Sequence, residues 1–405
     1  MAENKTLVSC TYQMKRPLVI QIDGGGSQNK GAELMLHAVL SAIQKAVPEA
    51  EVILNCRAGT LQLMQQYYAL KMRLRRSEWK QDLINRFHLV RLSSMVSSRI
   101  SNHFTRYSPR HGVDVVFNIG GYQFGDQWHH TSAQVNMWKN YLSVLARNDT
   151  KIIFLPQAFG PFEAITSQQI GEILHHYADI LIARDEISLE NLRKVGVPSG
   201  KLWLYPDFTA LVKTEQTSYG EQFSGRVCFI PNYKMIASGR QCHSDYVHSF
   251  CRLIDVTLSA GHEVFLLNHE GARDEALCRE ISEASGTPVP VCSGLNGLQT
   301  KAVISNSYLV VSSRYHGVAS ALNSGVPCLS TSWSHKYQTL LKGFGQEHAV
   351  VDLEDMNEAT RKLESLLDSP VHQRVRKELM EFNRALEMQI ESMWNAIWNF
   401  VSSVA

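Results

Sequence analysis

Short apolar runs that alternate with helical patterns constrain this chain more than any other feature. In the first half they are PLVIQI (17–22), EVILNC (51–56), VDVVFNIGG (113–121), KIIFLPQ (151–157), ADILIARD (178–185) and KLWLYPD (201–207). Apolar runs of strand length separated by helix-period stretches are βαβ units, which assemble as a parallel sheet with helices on both faces. The polar segment TALVKTEQTSYGEQFSG (209–225) breaks the rhythm and reads as a linker. The rhythm returns in RVCFIPN (226–232), HEVFLLNHE (262–270), PVPVC (288–292), YLVVSSR (308–314) and VPCLS (326–330). At 405 residues the chain is too long for one ordinary core. The expectation is therefore α/β with two Rossmann-like domains, 1–215 and 216–405, and a central cleft. From Ala359 onward the pattern is helical, with Trp394 and Trp398 four apart on one face as core residues.

The strand end near residue 312 carries the densest chemistry. Tyr308–Ser312 reads as a buried strand and Gly317–Asn323 as a helix stopped at Ser324-Gly325. Ser313, Arg314 and His316 then stand where a strand hands over to a helix N-terminus. That position offers backbone N–H groups and the positive end of the helix dipole to a phosphate or carboxylate. Arg314 adds a planar fork for the same anion, and His316 can exchange a proton near neutrality. A salt-bridged arginine and a half-buried histidine would show the same spacing, so spacing leaves both readings open.

Other strand ends are read in the same way. Gly24-Gly25-Gly26-Ser27-Gln28-Asn29-Lys30-Gly31 follows the first strand, but it is neither a dinucleotide fingerprint nor a P-loop. Its glycines allow either close approach of a ligand to the backbone or merely a tight turn. Gly120-Gly121 ends another strand, followed by the polar aromatic stretch Tyr122 to His130, whose flat rings and amides suit a sugar. His129 and His130 are candidate helpers there. Gln157 and Gly160-Pro161 end the next strand. Arg184 ends the one after and either grips an anion or bridges to Asp185 or Glu186.

A formal net charge of +2 argues against a general nucleic-acid binder. The charge is uneven, since residues 71 to 110 hold ten lysines and arginines against Glu78 and Asp82, interleaved with apolar residues. Such an amphipathic basic segment is either a solvated helix pair or a patch for an anionic membrane surface or a lipid-linked anionic substrate. The eight cysteines form no C-x-x-C pair and read as reduced core residues, with no metal site assigned. The first residues, MAENKTLVSCTYQMKRPLVI, lack the apolar stretch of a signal peptide, and no run approaches a membrane span, so a cytoplasmic location is expected.

Taken in order, these pieces resemble the polysaccharide pyruvyl transferase family. The matching elements are Asn29-x-Gly31-x-Glu33, the Gly120-Gly121 strand end, PQAFGPF, ARDEISLENLRKVGV, YPDFTALV, RYHGVASALNSGVPCLS and Lys336. They span roughly residues 18 to 345, and the chain departs from many relatives at Ala32, where they carry an acid. The resemblance implies a fold like that of the B-type glycosyltransferases and transfer of the pyruvyl group of phosphoenolpyruvate onto a sugar as a cyclic ketal. It also implies that Arg314 and His316 serve phosphoenolpyruvate, with Arg184 as a further arginine from the N-terminal domain. Ser313, Lys336, Gly120, Gly121, Gln157, Asn29, His129 and His130 are the candidate substrate contacts, and no metal or other cofactor is expected. The acceptor expected is a polymer-repeat precursor at the cytoplasmic face of the membrane. The alternative is a B-type glycosyltransferase using a nucleotide sugar, for which Glu275 and Glu283 give the common E-x7-E spacing, in a pattern that reads as a solvated helix face.

Overall fold

Seven strands of the first half hydrogen-bond in parallel in the order β3-β2-β1-β4-β5-β6-β7, and five of the second half in the order β10-β9-β8-β11-β12. The first set is β1 Val19–Asp23, β2 Glu51–Asn55, β3 Lys71–Leu74, β4 Val115–Asn118, β5 Lys151–Gln157, β6 Ile180–Ala183 and β7 Leu202–Leu204. The second is β8 Val227–Ile230, β9 Val264–Leu267, β10 Val291–Cys292, β11 Leu309–Ser312 and β12 Cys328–Ser330. The computed structural model describes residues 16–27, 29–75, 112–214, 218–331 and 335–403. β1, β4, β8, β9 and β11 are buried along their whole length, as their unbroken apolar runs require between two helical layers.

The chain divides into two compact units. One comprises Met1–Ser27, Met35–Thr209 and Gln389–Ala405, the other Gln28–Leu34 and Ala210–Met388. Besides a boundary at 209/210 rather than 215/216, two segments fall on the other side of the division expected from the sequence. Gln389–Ala405 belongs to the first unit because Trp394 and Trp398 set their rings edge-on to Phe117 of β4, at 6.0 and 5.9 Å, and are almost fully buried. Gln28–Leu34 belongs to the second because its side chains bond there, as described below.

β3 departs from the expected solvated helix pair. Its sequence Lys-Met-Arg-Leu alternates with period two, and it pairs with β2 so that Met72 is buried while Lys71 is exposed. Arg73 is engaged with Glu51, and the Arg75 guanidinium lies 4.7 Å from the centre of the Tyr141 ring. The remainder of the basic segment, from residue 76, lies outside the described residues. Of the cysteines described, Cys242 is exposed and the other six are buried and free. Among the described residues no helix is long and apolar enough to cross a membrane.

Candidate functional site

In an open parallel sheet, ligands collect at the strand C-termini where the strand order reverses. In the second unit that point lies between β8 and β11, and β11 runs directly into Ser313 and Arg314. The Ser313 N–H donates to the Ile230 carbonyl at 3.0 Å, and the Asn232 side-chain amide donates to the Ser313 carbonyl at 3.0 Å. The Tyr337 hydroxyl donates to that same carbonyl at 2.9 Å. Ser313 itself is wholly buried, its hydroxyl bonded to Tyr246 at 2.6 Å and to Thr331. Its hydroxyl is committed inside the fold, whereas the sequence reading places it on the substrate. Burial pushes the Tyr246 phenol up from its usual range, so it stays protonated as part of this scaffold.

The helix that follows, Tyr315–Asn323, begins with Arg314 as its N-cap residue in an extended conformation. The Ser312 hydroxyl accepts from the Arg314 N–H at 2.9 Å, and a Cβ on Gly317 would stand 2.6 Å from that hydroxyl. The glycine of R-x-H-G is thus required by the turn. Arg314 is 8% exposed, and acids hold its guanidinium: Nε donates to Asp274 at 2.8 Å, while the terminal nitrogens contact Asp274 and Glu270. The free anion fork expected from the sequence is therefore an arginine already clamped by two carboxylates. Burial raises the Asp274 carboxyl, and the Arg314 charge is the chief opposing pull.

His316 stands in the first turn of that helix, at the positive end of its dipole. A Cβ on Gly31 would overlap the His316 ring, so the glycine of Asn29-x-Gly31-x-Glu33 makes room for the imidazole. The rest of that motif is equally committed. Asn29 Oδ1 accepts from the Gly31 and Ala32 N–H groups at 2.9 and 3.2 Å, capping the helix Lys30–Ala46, and its amide donates to Glu270 at 3.2 Å. Glu33, fully buried, accepts from the Gly297 N–H at 2.8 Å, at the start of the helix Gly297–Ser305. Lys336 lies in the helix His335–Gly343, and its side chain is outside the description.

In the first unit the order reverses between β1 and β4. Asn118, at the end of β4, accepts from the Gly120 N–H at 3.1 Å and from the Gln123 and Gln157 amides at 2.7 and 3.2 Å. Gln157 is fully buried, with no hydrogen-bond partner on its Oε1. His130 bonds through Nε2 to the Gln123 carbonyl at 3.0 Å, whereas His129 remains exposed on the loop at φ 45°. The Arg184 side chain, 10% exposed, has Asp185 at 3.8 Å. Burial raises the Tyr122 hydroxyl pKa, and the Arg184 charge pulls it down. Gly120, Gln157 and His130 thus form one hydrogen-bonded neighbourhood with Asn118 and Gln123, next to which the Gly121 carbonyl accepts from the Ala158 N–H at 2.9 Å and the Arg184 charge acts on Tyr122.

The sequence reading misses His269, Glu270 and Asp274. Glu270 and Asp274 lie four apart at the start of the helix Gly271–Ala284, and Asp274 is 1% exposed although the charged pattern there reads as a solvated face. Their signal was the strand-end position of HEVFLLNHE, immediately before a helix with two acids on one face. Of the E-x7-E pair, Glu283 is exposed and Glu275 takes a surface bridge from Arg279 at 2.7 Å. Among the described residues no group of three or more His, Cys, Asp or Glu is gathered to hold a metal ion.

Two parallel sheets of this order, each with a polar cluster at its reversal point, define the class of fold shared by B-type glycosyltransferases and sugar-nucleotide epimerases. The UDP-GlcNAc 2-epimerase of Neisseria meningitidis bound to UDP-GlcNAc superposes with a TM-score of 0.59 at 12% identity, over 93% of this chain and 99% of that one. Alr3699/HepE of Anabaena in complex with UDP-glucose does so with a TM-score of 0.58 at 10% identity, over 96% and 100%. The sequence is more particular than the fold. Residues 29–335 match the family described as polysaccharide pyruvyl transferase, and the chain belongs to that family. The amylovoran biosynthesis protein AmsJ of Erwinia amylovora is 19% identical over 279 residues, 63% of this chain, which covers 66% of AmsJ.

Proposed function

We propose that the protein transfers the pyruvyl group of phosphoenolpyruvate onto two hydroxyls of a sugar in a polysaccharide or its precursor, as a cyclic ketal. The family supports pyruvyl transfer, and the observation that carries the site is the meeting of Gly31 with the His316 ring. Two motifs some 285 residues apart in sequence are built around one imidazole. His316 delivers a proton to the methylene carbon of phosphoenolpyruvate. A sugar hydroxyl adds to the resulting cation at C2 and loses its proton, phosphate departs, and a second hydroxyl closes the ketal. Asp274 and Glu270 fix the plane of the Arg314 guanidinium, so that it meets the donor's phosphate or carboxylate in one orientation. Arg184, Lys336, Gln157, Asn29, His129 and His130 complete the proposed set of contacts. No step calls for a metal.

Phosphate release from phosphoenolpyruvate, followed across galactosides, glucosides, mannosides and N-acetylhexosamine derivatives, tests the reading. Release that depends on one acceptor supports it and names the sugar. Turnover of a nucleotide sugar with no response to phosphoenolpyruvate replaces it with glycosyl transfer. A lipid-linked acceptor met at the inner face of the membrane belongs to the same proposal. Cosedimentation with anionic but not neutral vesicles is its expected signature, and binding indifferent to lipid charge removes it.

A further inference from the structure

His269 follows β9 in the second unit. It is 4% exposed, yet its Nε2 has no hydrogen-bond partner. An orphaned polar group in a protein interior costs about 1–3 kcal/mol, so each one calls for an explanation, of which a ligand that completes it is one. Burial, reinforced by the charges of Arg314, His316 and Lys30, holds the ring well below its usual pKa, and it is neutral around pH 7.

Carboxylates stand beside two of the cations that act on the ring. Arg314 is matched by Glu270 and Asp274, Lys30 lies 3.8 Å from Glu33, and Lys234 lies 4.0 Å from Glu270. An oxyanion that reaches Arg314 therefore meets a cation whose charge two carboxylates already answer. A second anionic ligand charge there needs compensation, and the unpartnered basic nitrogen beside it can supply a proton site.

We infer that an oxyanion entering beside Arg314 binds together with one extra proton, shared between a ligand oxygen and His269 Nε2. The inference rests on the donor reading above and takes the phosphate or carboxylate of phosphoenolpyruvate as the ligand group. The proton comes from solvent, and no covalent bond to carbon or phosphorus forms or breaks. The arriving anion favours the protonated ring against the burial and the positive charges that keep it neutral, so ligand binding and proton uptake reinforce each other. Affinity then falls by about tenfold per pH unit in mildly alkaline solution, where the free phosphate group carries no proton of its own.

Calorimetric titration of the full chain with phosphoenolpyruvate, in two mildly alkaline buffers of different ionisation enthalpy, counts the protons. The expected result is about one proton taken up per ligand by the wild type and none by His269→Asn or His269→Phe proteins that still bind. Wild-type binding without uptake, or equal uptake in the variants, overturns the inference. Should both variants lose binding, NMR of isotope-labelled histidine in the wild type decides. A His269 Nε2 resonance that moves to the protonated range with phosphoenolpyruvate supports the inference, and one that stays neutral overturns it. Wild-type protein that shows no heat in either buffer removes the donor reading, and the inference with it.

Discussion

The ends of β4 and β11 occupy equivalent places, each beside the reversal point of a parallel sheet, yet they are built from opposite chemistry. The end of β4 is neutral: Asn118 organises a ring of amides and glycine N–H groups. The end of β11 is charged: Arg314 sits between Asp274 and Glu270, with His316 two residues on, and both charges act on His269. One topology thus carries two kinds of strand-end chemistry. Amides suit hydroxyl groups, and a clamped cation with two imidazoles suits an oxyanion and proton transfer.

The largest expected contrast is between the two arginines. Arg314→Ala leaves the buried Asp274 carboxylate without its cation, at a cost of about 3–5 kcal/mol in denaturant unfolding. Arg184→Ala removes a cation whose carboxylate contact to Asp185 is long, at 3.8 Å, and is expected to cost less than Arg314→Ala. Equal effects would break the distinction between the two strand ends. They would also make Arg314→Ala usable as a simple activity test, which the buried pair otherwise prevents.

Glycines sharpen the comparison next. Gly31→Ala pushes the His316 ring aside and is expected to lower the rate of pyruvyl transfer by about two orders of magnitude, in a protein with native circular dichroism. Gly24→Ala instead places a Cβ 2.7 Å from the Gly120 N at φ +90°, a backbone collision. The expected loss is about 1–3 kcal/mol of stability, read as a fall in the unfolding midpoint. A Gly31 variant with unchanged turnover would detach that motif from the chemistry.

The smallest effect is acid sensitivity. The pKa of His269 is depressed in the folded chain, so the unfolded chain binds the extra proton. The ring's contribution to stability is present above about pH 6.5 and is lost as the pH falls below it, by up to about 1.4 kcal/mol per pH unit. His269→Phe should flatten that part of the stability profile. An unchanged slope would mean that the ring is not held neutral.

Much of the frame was legible. KIIFLPQ is β5 residue for residue, and the strand, Arg314 and helix at 308–323 are placed within two residues, because buried strands and small-residue helices write their periods directly into the chain. β3 was hidden by four residues whose alternation is too short to outweigh a long basic context. The role of Ser313 was not legible either, since a serine beside a strand end reads alike whether Tyr246 or a substrate takes its hydroxyl. Glu270 and Asp274 look like any acids at a helix start until Arg314 is brought between them.

By itself the sequence determined the two parallel sheets, the strand-end position of Arg314 and His316, and the family. Local periodicity and ordered motifs are properties of neighbours along the chain. Only the tertiary structure decided that Arg314 is clamped, that Gly31 exists for the His316 ring, and that His269 is buried with an unanswered nitrogen. Those facts depend on burial and on partners 40 or more residues away, and no local pattern encodes which charge will be enclosed beside which.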